Sequence, residues 1–195
     1  MKNYNLIIAG VGGQGVILAG NIIGEAAIAS GFDIKKTDTI GMAQRGGSVV
    51  SHLRIAPKIY SPIIKDGEAD IVLSFEKMEA ARCNNFLKPG GIVILNNREM
   101  PPLSVSRGIE HYPTDEEIIA ILEQKTDRIF FVEGTRKAEI LGNAKTLNIF
   151  MLGCLSRFMD IEEKIWRECI INNLPARIVN INITAFEAGM ESIKI

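Results

Sequence analysis

Glycines near the start of the chain have the spacing of a turn that binds anions. Residues 6–9 are apolar and predict a short buried strand, and residues 16–29 predict a helix. Between them, Gly10, Gly12 and Gly15 form the pattern G-x-G-x-x-G. In a strand–turn–helix setting these glycines permit a tight turn, a close approach of the backbone to a ligand and close packing of helix on strand. The free N–H groups that begin the helix would then face a phosphate or a carboxylate.

Two interpretations of this motif remain open. The glycines can serve only the packing of a first strand and helix, or they can hold the pyrophosphate of a dinucleotide. A dinucleotide site also needs an acid at the end of the second strand, about 20 residues further along the chain. Asp38 ends the candidate second strand at residues 33–38, but the strand is polar and Lys35 and Lys36 lie beside that acid. This pattern disfavours NAD.

A second glycine-rich stretch carries a single arginine. Residues 41–47 read Gly-Met-Ala-Gln-Arg-Gly-Gly, and such a loop is costly to order because glycine loses the most conformational freedom on folding. A partner or ligand that orders the loop would explain it, and the guanidinium of Arg45 could clamp a carboxylate or phosphate. We predict that Gln44, Arg45 and Gly46 share one surface with the glycine turn. The alternative is a structural turn whose arginine points to solvent.

The wider pattern predicts an α/β fold of Rossmann-like, three-layer form, with a mostly parallel sheet, helices on both faces and a helical C-terminal part. Residues 48–55 alternate like a strand, on which His52 and Arg54 indicate a solvated or satisfied sheet face. Further strands are predicted at residues 69–75, 92–95 and 128–132, and helices at residues 76–87, 115–125, 135–141, 144–159, 162–173 and 176–193. The Lys-Pro-Gly-Gly sequence at residues 88–91 predicts the end of the helix that begins at Glu76. No repeat or linker divides the chain, so residues 1–195 are expected to form a single domain.

Composition narrows the classes of function. The chain has 195 residues, is 47% hydrophobic and carries a formal net charge of -1, which indicates neither a nucleic-acid partner nor a disordered acidic tail. Its apolar stretches are too short for a membrane span and no signal peptide is recognisable. The scarce and scattered cysteines indicate a reducing compartment, so a cytoplasmic location is expected. Cys83, Cys154 and Cys169 are far apart in apolar helical contexts, which disfavours a cysteine-ligated iron–sulfur cluster and a disulfide framework. With two histidines in the chain, a metal site is not expected.

Taken together, the two glycine-rich motifs resemble the gamma-type domain of 2-oxoacid:ferredoxin oxidoreductases. The motifs read GVGGQGV at residues 10–16 and GMAQRGGSVVSH at residues 41–52. Shorter matches extend the resemblance over nearly the whole chain: Tyr60-Ser61-Pro62, Ala69-Asp70, Phe75-Glu76, Asn182, Ala185-Phe186 and Gly189. The second motif is the more specific of the two, and it is most similar to the indolepyruvate branch of the family.

The resemblance implies the oxidative decarboxylation of a 2-oxoacid, here indolepyruvate and other aryl pyruvates, to an acyl-CoA, with electrons passed to ferredoxin. It places thiamine diphosphate, magnesium and iron–sulfur clusters on a large alpha subunit, and it makes coenzyme A the cosubstrate. This chain, which has neither a Gly-Asp-Gly motif nor a cysteine cluster, would be inert alone. Arg45 is the catalytic candidate, and the residues expected to face a cofactor are Gly12, Gly13, Gln14, Gly15, Gln44 and Gly46.

Three alternatives stay open at the level of the sequence. The chain could be the gamma subunit of a pyruvate or 2-oxoglutarate:ferredoxin oxidoreductase. It could be a stand-alone NAD(P)-binding Rossmann protein, which tight binding of a nicotinamide cofactor would favour. It could also be a purely structural subunit, which normal turnover after Arg45→Ala would favour.

Overall fold

Six strands and eight α-helices make up the part of the chain that the computed structural model describes, residues 3–41 and 46–194. The strands are β1 (Tyr4–Val11), β2 (Asp33–Ile40), β3 (Ser48–Ala56), β4 (Ala69–Ser74), β5 (Leu87–Asn96) and β6 (Ile129–Val132). The helices are α1 (Val16–Ala29), α2 (Lys77–Arg82), α3 (Leu103–Ser106), α4 (Asp115–Glu123), α5 (Gly134–Ile140), α6 (Leu147–Ser156), α7 (Glu163–Asn173) and α8 (Ala176–Ser192). A 3-10 turn, Ala144–Thr146, leads into α6.

The strands form one sheet in the order β2-β3-β1-β4-β5-β6. The pairs β1–β4, β4–β5 and β5–β6 are parallel, whereas β3 runs antiparallel to both β1 and β2. The prediction of a mostly parallel sheet is therefore confirmed, and β1 lies in the interior of that sheet. Because β2 and β3 form a hairpin, the second strand lies at the edge of the sheet and not beside β1.

Helices cover both faces of the sheet, as the three-layer prediction requires. Leu6 and Ile8 of β1 face a large core that α1 and the C-terminal helices α5–α8 complete. Ile7 and Ala9 point to the opposite face and pack in a second core with residues of α2 and α4. This alternation is what a strand buried on both sides shows, since successive side chains point to opposite faces.

Helices α6 and α8 pack backbone against backbone in the larger core. A Cβ atom at Gly153 would lie 2.0 Å from the carbonyl oxygen of Phe186, and one at Gly189 would lie 2.0 Å from that of Phe150. Neither position has room for a side chain. The two glycines therefore set the distance between α6 and α8, and α8 is the element that closes the C-terminal side of the site described below.

The prediction of a helix over residues 76–87 was too long. Helix α2 ends at Arg82, and β5 begins at Leu87, so the Lys-Pro-Gly-Gly sequence lies inside a strand. Leu87 pairs with Ala69 of β4, and the Gly90 N–H donates to the carbonyl oxygen of Lys125 at 2.8 Å. These long-range bonds outweigh the local turn preference of the sequence. The predicted helix over residues 144–159 likewise begins as a 3-10 turn.

The interpretation of His52 and Arg54 as satisfied sheet residues is confirmed. His52 is buried, its Nδ1 accepts the N–H of Ile64 at 3.3 Å, and its ring meets that of Phe86 edge-on. Burial lowers the pKa of His52, because it disfavours the charged form of the ring. The Nε of Arg54 donates to Oδ1 of Asn5 at 3.2 Å.

Candidate functional site

The glycine turn follows β1 at the carboxyl edge of the parallel strands. Gly13 and Gly15 have φ angles of 103° and 82°, which side chains rarely adopt, and Gly15 is the residue from which α1 starts. A Cβ atom at Gly10 would lie 2.8 Å from Cγ2 of Val16. The turn is therefore built from positions that require glycine, whatever ligand it meets.

The turn is joined directly to the second glycine-rich stretch. The Gly12 N–H donates to the carbonyl oxygen of Gly47 at 2.8 Å, and the Gly41 N–H donates to the carbonyl oxygen of Ser48 at 2.9 Å. Gly46 is exposed, with a φ angle of 76°. The described residues that flank the arginine loop thus lie beside the glycine turn. Gln44 and Arg45 themselves fall outside the described residues.

The side chain of Gln14 ties the turn to the sheet. Its Oε1 accepts the N–H of Val11 at 2.7 Å, and its Nε2 donates to the carbonyl oxygen of Phe75 at 3.1 Å. Both ends of the amide therefore bind main-chain groups at the ends of the neighbouring strands β1 and β4. This geometry gives Gln14 a role in holding the turn in shape.

The Gln14→Glu substitution is expected to lower the free energy of unfolding by about 1–3 kcal/mol, because it removes the donor to the Phe75 carbonyl and places a carboxylate oxygen against it. Urea unfolding followed by circular dichroism measures the change. The matched control is Gln124→Glu on the exposed end of α4, which should change the free energy by less than about 0.5 kcal/mol. Equal effects of the two substitutions would contradict the role assigned to Gln14.

Asn96, at the end of β5, makes hydrogen bonds that play the same role as those of Gln14. Its Nδ2 donates to the same Phe75 carbonyl oxygen at 3.0 Å and to Oγ1 of Thr135, while its Oδ1 accepts the Thr135 N–H at 3.1 Å. The Phe75 carbonyl oxygen thus accepts one hydrogen bond from Gln14 of the glycine turn and one from Asn96 at the end of β5, and Asn96 is in turn bonded to Thr135 at the start of α5. Two walls of a cavity are fixed relative to each other in this way.

The cavity between these walls has a volume of about 830 Å³ and opens at the carboxyl ends of β1, β5 and β6. Gly13 and Gly15 line it after β1, Arg98 lines it after β5, and Thr135 lines it after β6. Open parallel sheets bind ligands outside the carboxyl ends of their strands. The size lies in the range of small-molecule sites, which are roughly 300–1,000 Å³.

The remaining wall comes from the C-terminal helices, which the sequence pattern did not connect with the glycine turn. Asn148 of α6 and Asn182 of α8 line the cavity, and Lys145 and Arg177 lie near its mouth. A Cβ atom at Gly15 would lie 2.7 Å from Nδ2 of Asn148, so helix α6 packs directly on the turn. The sequence held one signal for this wall: Asn148 is a lone amide in the otherwise apolar helix α6, which indicates a polar role at a buried position.

Asp38, the acid that a dinucleotide site would need, binds other residues of its own hairpin. It accepts a hydrogen bond from Ser51 at 2.5 Å and pairs with Lys36 at 3.0 Å, both within the hairpin of β2 and β3. Its strand is separated from β1 by β3. The arrangement therefore lacks the neighbouring second strand that presents an acid to a ribose in dinucleotide-binding folds.

The donor atoms in the described residues do not fit an iron–sulfur cluster or a metal ion. Cys83 packs in the core on one face of the sheet, whereas Cys154 and Cys169 pack in the core on the other. Burial raises the pKa of the Cys83 thiol to about 12 and also raises that of Cys154, which opposes the thiolate form that ligands need. In residues 3–41 and 46–194, no group of three or more His, Cys, Asp or Glu side chains is placed to hold a metal.

Within the same described ranges, the helices are too short or too polar for any of them to cross a bilayer.

Comparison with known proteins gives consistent results. The profile of the pyruvate ferredoxin/flavodoxin oxidoreductase family matches residues 5–192. The chain is 39% identical to the indolepyruvate oxidoreductase subunit IorB of Thermococcus kodakarensis, over 100% of this chain and 98% of that protein. It is 38% identical to IorB of Pyrococcus horikoshii, with the same coverage of both chains. Among solved structures, the gamma subunit of a keto/oxoacid ferredoxin oxidoreductase from Geobacter sulfurreducens has the same fold, with a TM-score of 0.72, 22% identity and 97% coverage of each chain.

Proposed function

This chain belongs to the pyruvate ferredoxin/flavodoxin oxidoreductase family, and we propose that it is the small subunit of an indolepyruvate:ferredoxin oxidoreductase. Its place as a small subunit of a 2-oxoacid:ferredoxin oxidoreductase follows from the family match and from the relatives that share its length. The observation that carries the narrower proposal is 39% identity over the full chain to a protein named for indolepyruvate. Residues 1–195 then act as one gamma-type domain in the cytoplasm.

The proposed reaction is the oxidative decarboxylation of an aryl pyruvate with coenzyme A to an aryl-acetyl-CoA and carbon dioxide, with electrons passed to ferredoxin. Thiamine diphosphate supplies carbanion stabilisation when it is bound, and iron–sulfur clusters carry electrons. We assign both groups, with magnesium, to a large alpha subunit. The support is the donor set of this chain, whose three cysteines are buried and divided between the two faces of the sheet.

The part of this chain that we assign to the active-site region is the edge formed by the glycine turn and the arginine loop. The hydrogen bond from Gly12 to Gly47 supports a single surface that includes residues 12–15 and Gly46. In this proposal Gly12, Gly13, Gly15, Gln44 and Gly46 face the cofactor region of the partner, Gln14 holds the turn, and Arg45 supplies positive charge to a carboxylate or phosphate.

Reconstitution tests the proposed function. The purified chain alone is expected to reduce no electron acceptor with indolepyruvate and coenzyme A, because its described residues offer no site for a thiamine–metal unit or a cluster. Mixing it with its large subunit should produce acceptor reduction that depends on the aryl pyruvate and on coenzyme A. The assay is absorbance of an artificial acceptor under anaerobic conditions.

Substrate choice separates this proposal from its alternatives. Pyruvate and 2-oxoglutarate serve as matched competitors, and kcat/KM for indolepyruvate should exceed that for either of them. A preference for 2-oxoglutarate would assign the chain to another branch of the family. Turnover by the chain alone would overturn the division of cofactors between the subunits.

A further inference from the structure

A buried carboxylate on α2 binds the first residue of β3. Glu79 is 2% exposed, and its Oε2 accepts a hydrogen bond from the hydroxyl of Ser48 at 2.5 Å. Its Oε1 accepts a hydrogen bond from Nη1 of Arg82 at 2.7 Å. Each carboxylate oxygen therefore binds a group of the protein itself, which suits Glu79 to holding another residue in place.

Ser48 lies where the two glycine-rich motifs meet. It begins β3 and pairs with Val11, the last residue of β1 before the glycine turn. Its carbonyl oxygen accepts the Gly41 N–H, and the carbonyl oxygen of the preceding residue, Gly47, accepts the Gly12 N–H. A shift of Ser48 would disturb both hydrogen bonds, the one that closes the hairpin and the one that joins the motifs.

Helix α2, which carries Glu79, is itself anchored at its start. The Glu79 N–H donates to Oε2 of Glu76 at 2.9 Å. Oε1 of Glu76 accepts the Met100 N–H at 3.0 Å and the hydroxyl of Tyr112. The side chain of Lys77 is 4% exposed and pairs with two acids. These bonds fix the helix from which Glu79 reaches the strand, and they give Glu76 of the Phe75-Glu76 match a role.

Stability alone does not require a carboxylate at position 79. Ionised side chains are costly to bury, and apolar groups of similar size often replace a buried ion pair with no loss of stability. A carboxylate instead provides strong and directed hydrogen bonds, since one partner is charged. A buried polar network whose members are satisfied favours one arrangement of the elements that it joins.

We propose that Glu79 is a positioning residue for the active-site edge. Through Ser48 it holds Gly47 against Gly12, so that the two glycine-rich motifs present one fixed surface to the partner subunit. This role rests on the proposed function, which assigns that edge to the active-site region, and adds the side chains behind the surface that determine its shape. Loss of the Ser48 hydroxyl should loosen the bond between Gly12 and Gly47 while the chain stays folded.

Hydrogen exchange of the isolated chain, followed by NMR, tests this role without turnover. In Ser48→Ala the Gly12 amide should exchange about tenfold faster or more, because a hydrogen bond to a charged group is lost beside its acceptor. The amides of Leu6 and Ile8, which lie deeper in β1, should exchange at their original rates. Ser48→Thr keeps a hydroxyl and should restore slow exchange at Gly12.

Ser51→Ala is the matched control for this measurement. Ser51 lies on the same strand and donates to a carboxylate at the same distance of 2.5 Å, but its acceptor is Asp38 of β2. The Gly12 amide should keep its original rate in this variant. Equal acceleration in Ser48→Ala and Ser51→Ala, or an unchanged Gly12 rate in Ser48→Ala, would overturn the proposal.

A double-mutant cycle tests Glu79 itself. Glu79→Leu, an apolar replacement of similar size, should accelerate exchange at Gly12 as Ser48→Ala does. The double variant should exchange at nearly the rate of either single variant, because both substitutions remove the same contact. Additive effects of Glu79→Leu and Ser48→Ala would show that the two side chains act independently and would contradict the proposed role.

Kinetics of the reconstituted complex test the effect on turnover. Ser48→Ala should lower kcat/KM for an aryl pyruvate by about fivefold or more, Ser48→Thr should restore it, and Ser51→Ala should leave it unchanged. Faster exchange at Gly12 with unaltered kinetics would overturn the link to the active-site edge. Absence of turnover with the unchanged chain would count against the proposed function, whereas the exchange rates would still decide whether Glu79 holds the two motifs together.

Discussion

The Gly189→Ala substitution is expected to lower the melting temperature by about 10 °C or more, or to prevent folding. The new methyl group would lie 2.0 Å from the carbonyl oxygen of Phe150 and 3.1 Å from the backbone nitrogen of Cys154. Both atoms belong to the backbone of α6, so a rotamer change cannot relieve the contact. Helices α6 and α8 would have to separate, and the packing of Phe150 and Phe186, both fully buried, would be lost.

Gly24→Ala in α1 is the matched control for this prediction. It is the same change in a helix, but the nearest atom to the new Cβ is Cδ1 of Ile34, at 3.0 Å, which is the movable end of a side chain. Alanine also has a higher helix propensity than glycine, by about 1 kcal/mol. This variant should melt near the temperature of the unchanged chain. The melting temperatures of the two variants are compared by circular dichroism. Similar values for Gly189→Ala and Gly24→Ala would contradict the backbone-contact interpretation.

The elements with strong local signals were predictable from the sequence. The glycine turn separates β1 from α1, and the predicted helix over residues 16–29 has the bounds that the structure shows. Thr114 and Glu117 form the reciprocal capping box that their spacing predicts at the start of α4. In each case the residues that decide the conformation are a few positions apart, so the pattern contains the information.

Strand pairing depends on distant residues and was harder to derive. Parallel neighbours need a crossover of about a dozen residues or more, and the connection between β2 and β3 covers only residues 41–47. A short connection of this kind requires an antiparallel hairpin, which moves Asp38 to an edge strand. The short loop between β2 and β3 and the polarity of β2 were therefore both evidence against a dinucleotide site.

The cavity could not be derived from the two glycine motifs. Its floor and much of its mouth come from α6 and α8, near the other end of the chain, through Asn148, Asn182 and Arg177. Nothing local links Asn148 with Gly15, although their atoms pack against each other in the fold. Helical periodicity predicts that these residues lie on helices. Which of them come together around a cavity depends on how the helices pack on the sheet.

Arg45 lies between two described points that are fixed to the sheet edge. On one side, the Gly41 N–H donates to Ser48 and closes the hairpin; on the other, the carbonyl oxygen of Gly47 accepts the N–H of Gly12. Arg45 itself lies outside the described residues, and its role remains a proposal that rests on these flanking contacts and on its position two residues before Gly47. The glycine turn offers no basic side chain of its own, and Arg45 is our candidate for the charge directly beside it, next to the Arg98, Lys145 and Arg177 that line the neighbouring cavity.

The Arg45→Lys substitution is expected to reduce kcat/KM of the reconstituted complex by about tenfold or more, and Arg45→Ala by about a hundredfold. Lysine keeps the positive charge but loses the planar fork that binds a carboxylate or phosphate at two points, so the difference between the variants measures how much depends on the fork. Steady-state kinetics with an aryl pyruvate and coenzyme A give these values. Arg157→Lys on the exposed end of α6 is the matched control for the kinetics. The melting temperature of this chain, measured without its partner, should be the same for each variant. The reason is that a loop arginine that acts on the partner's ligands would contribute little to the stability of this chain. Unaltered kinetics for both Arg45 variants would make the loop a structural turn and would remove Arg45 from the active-site region.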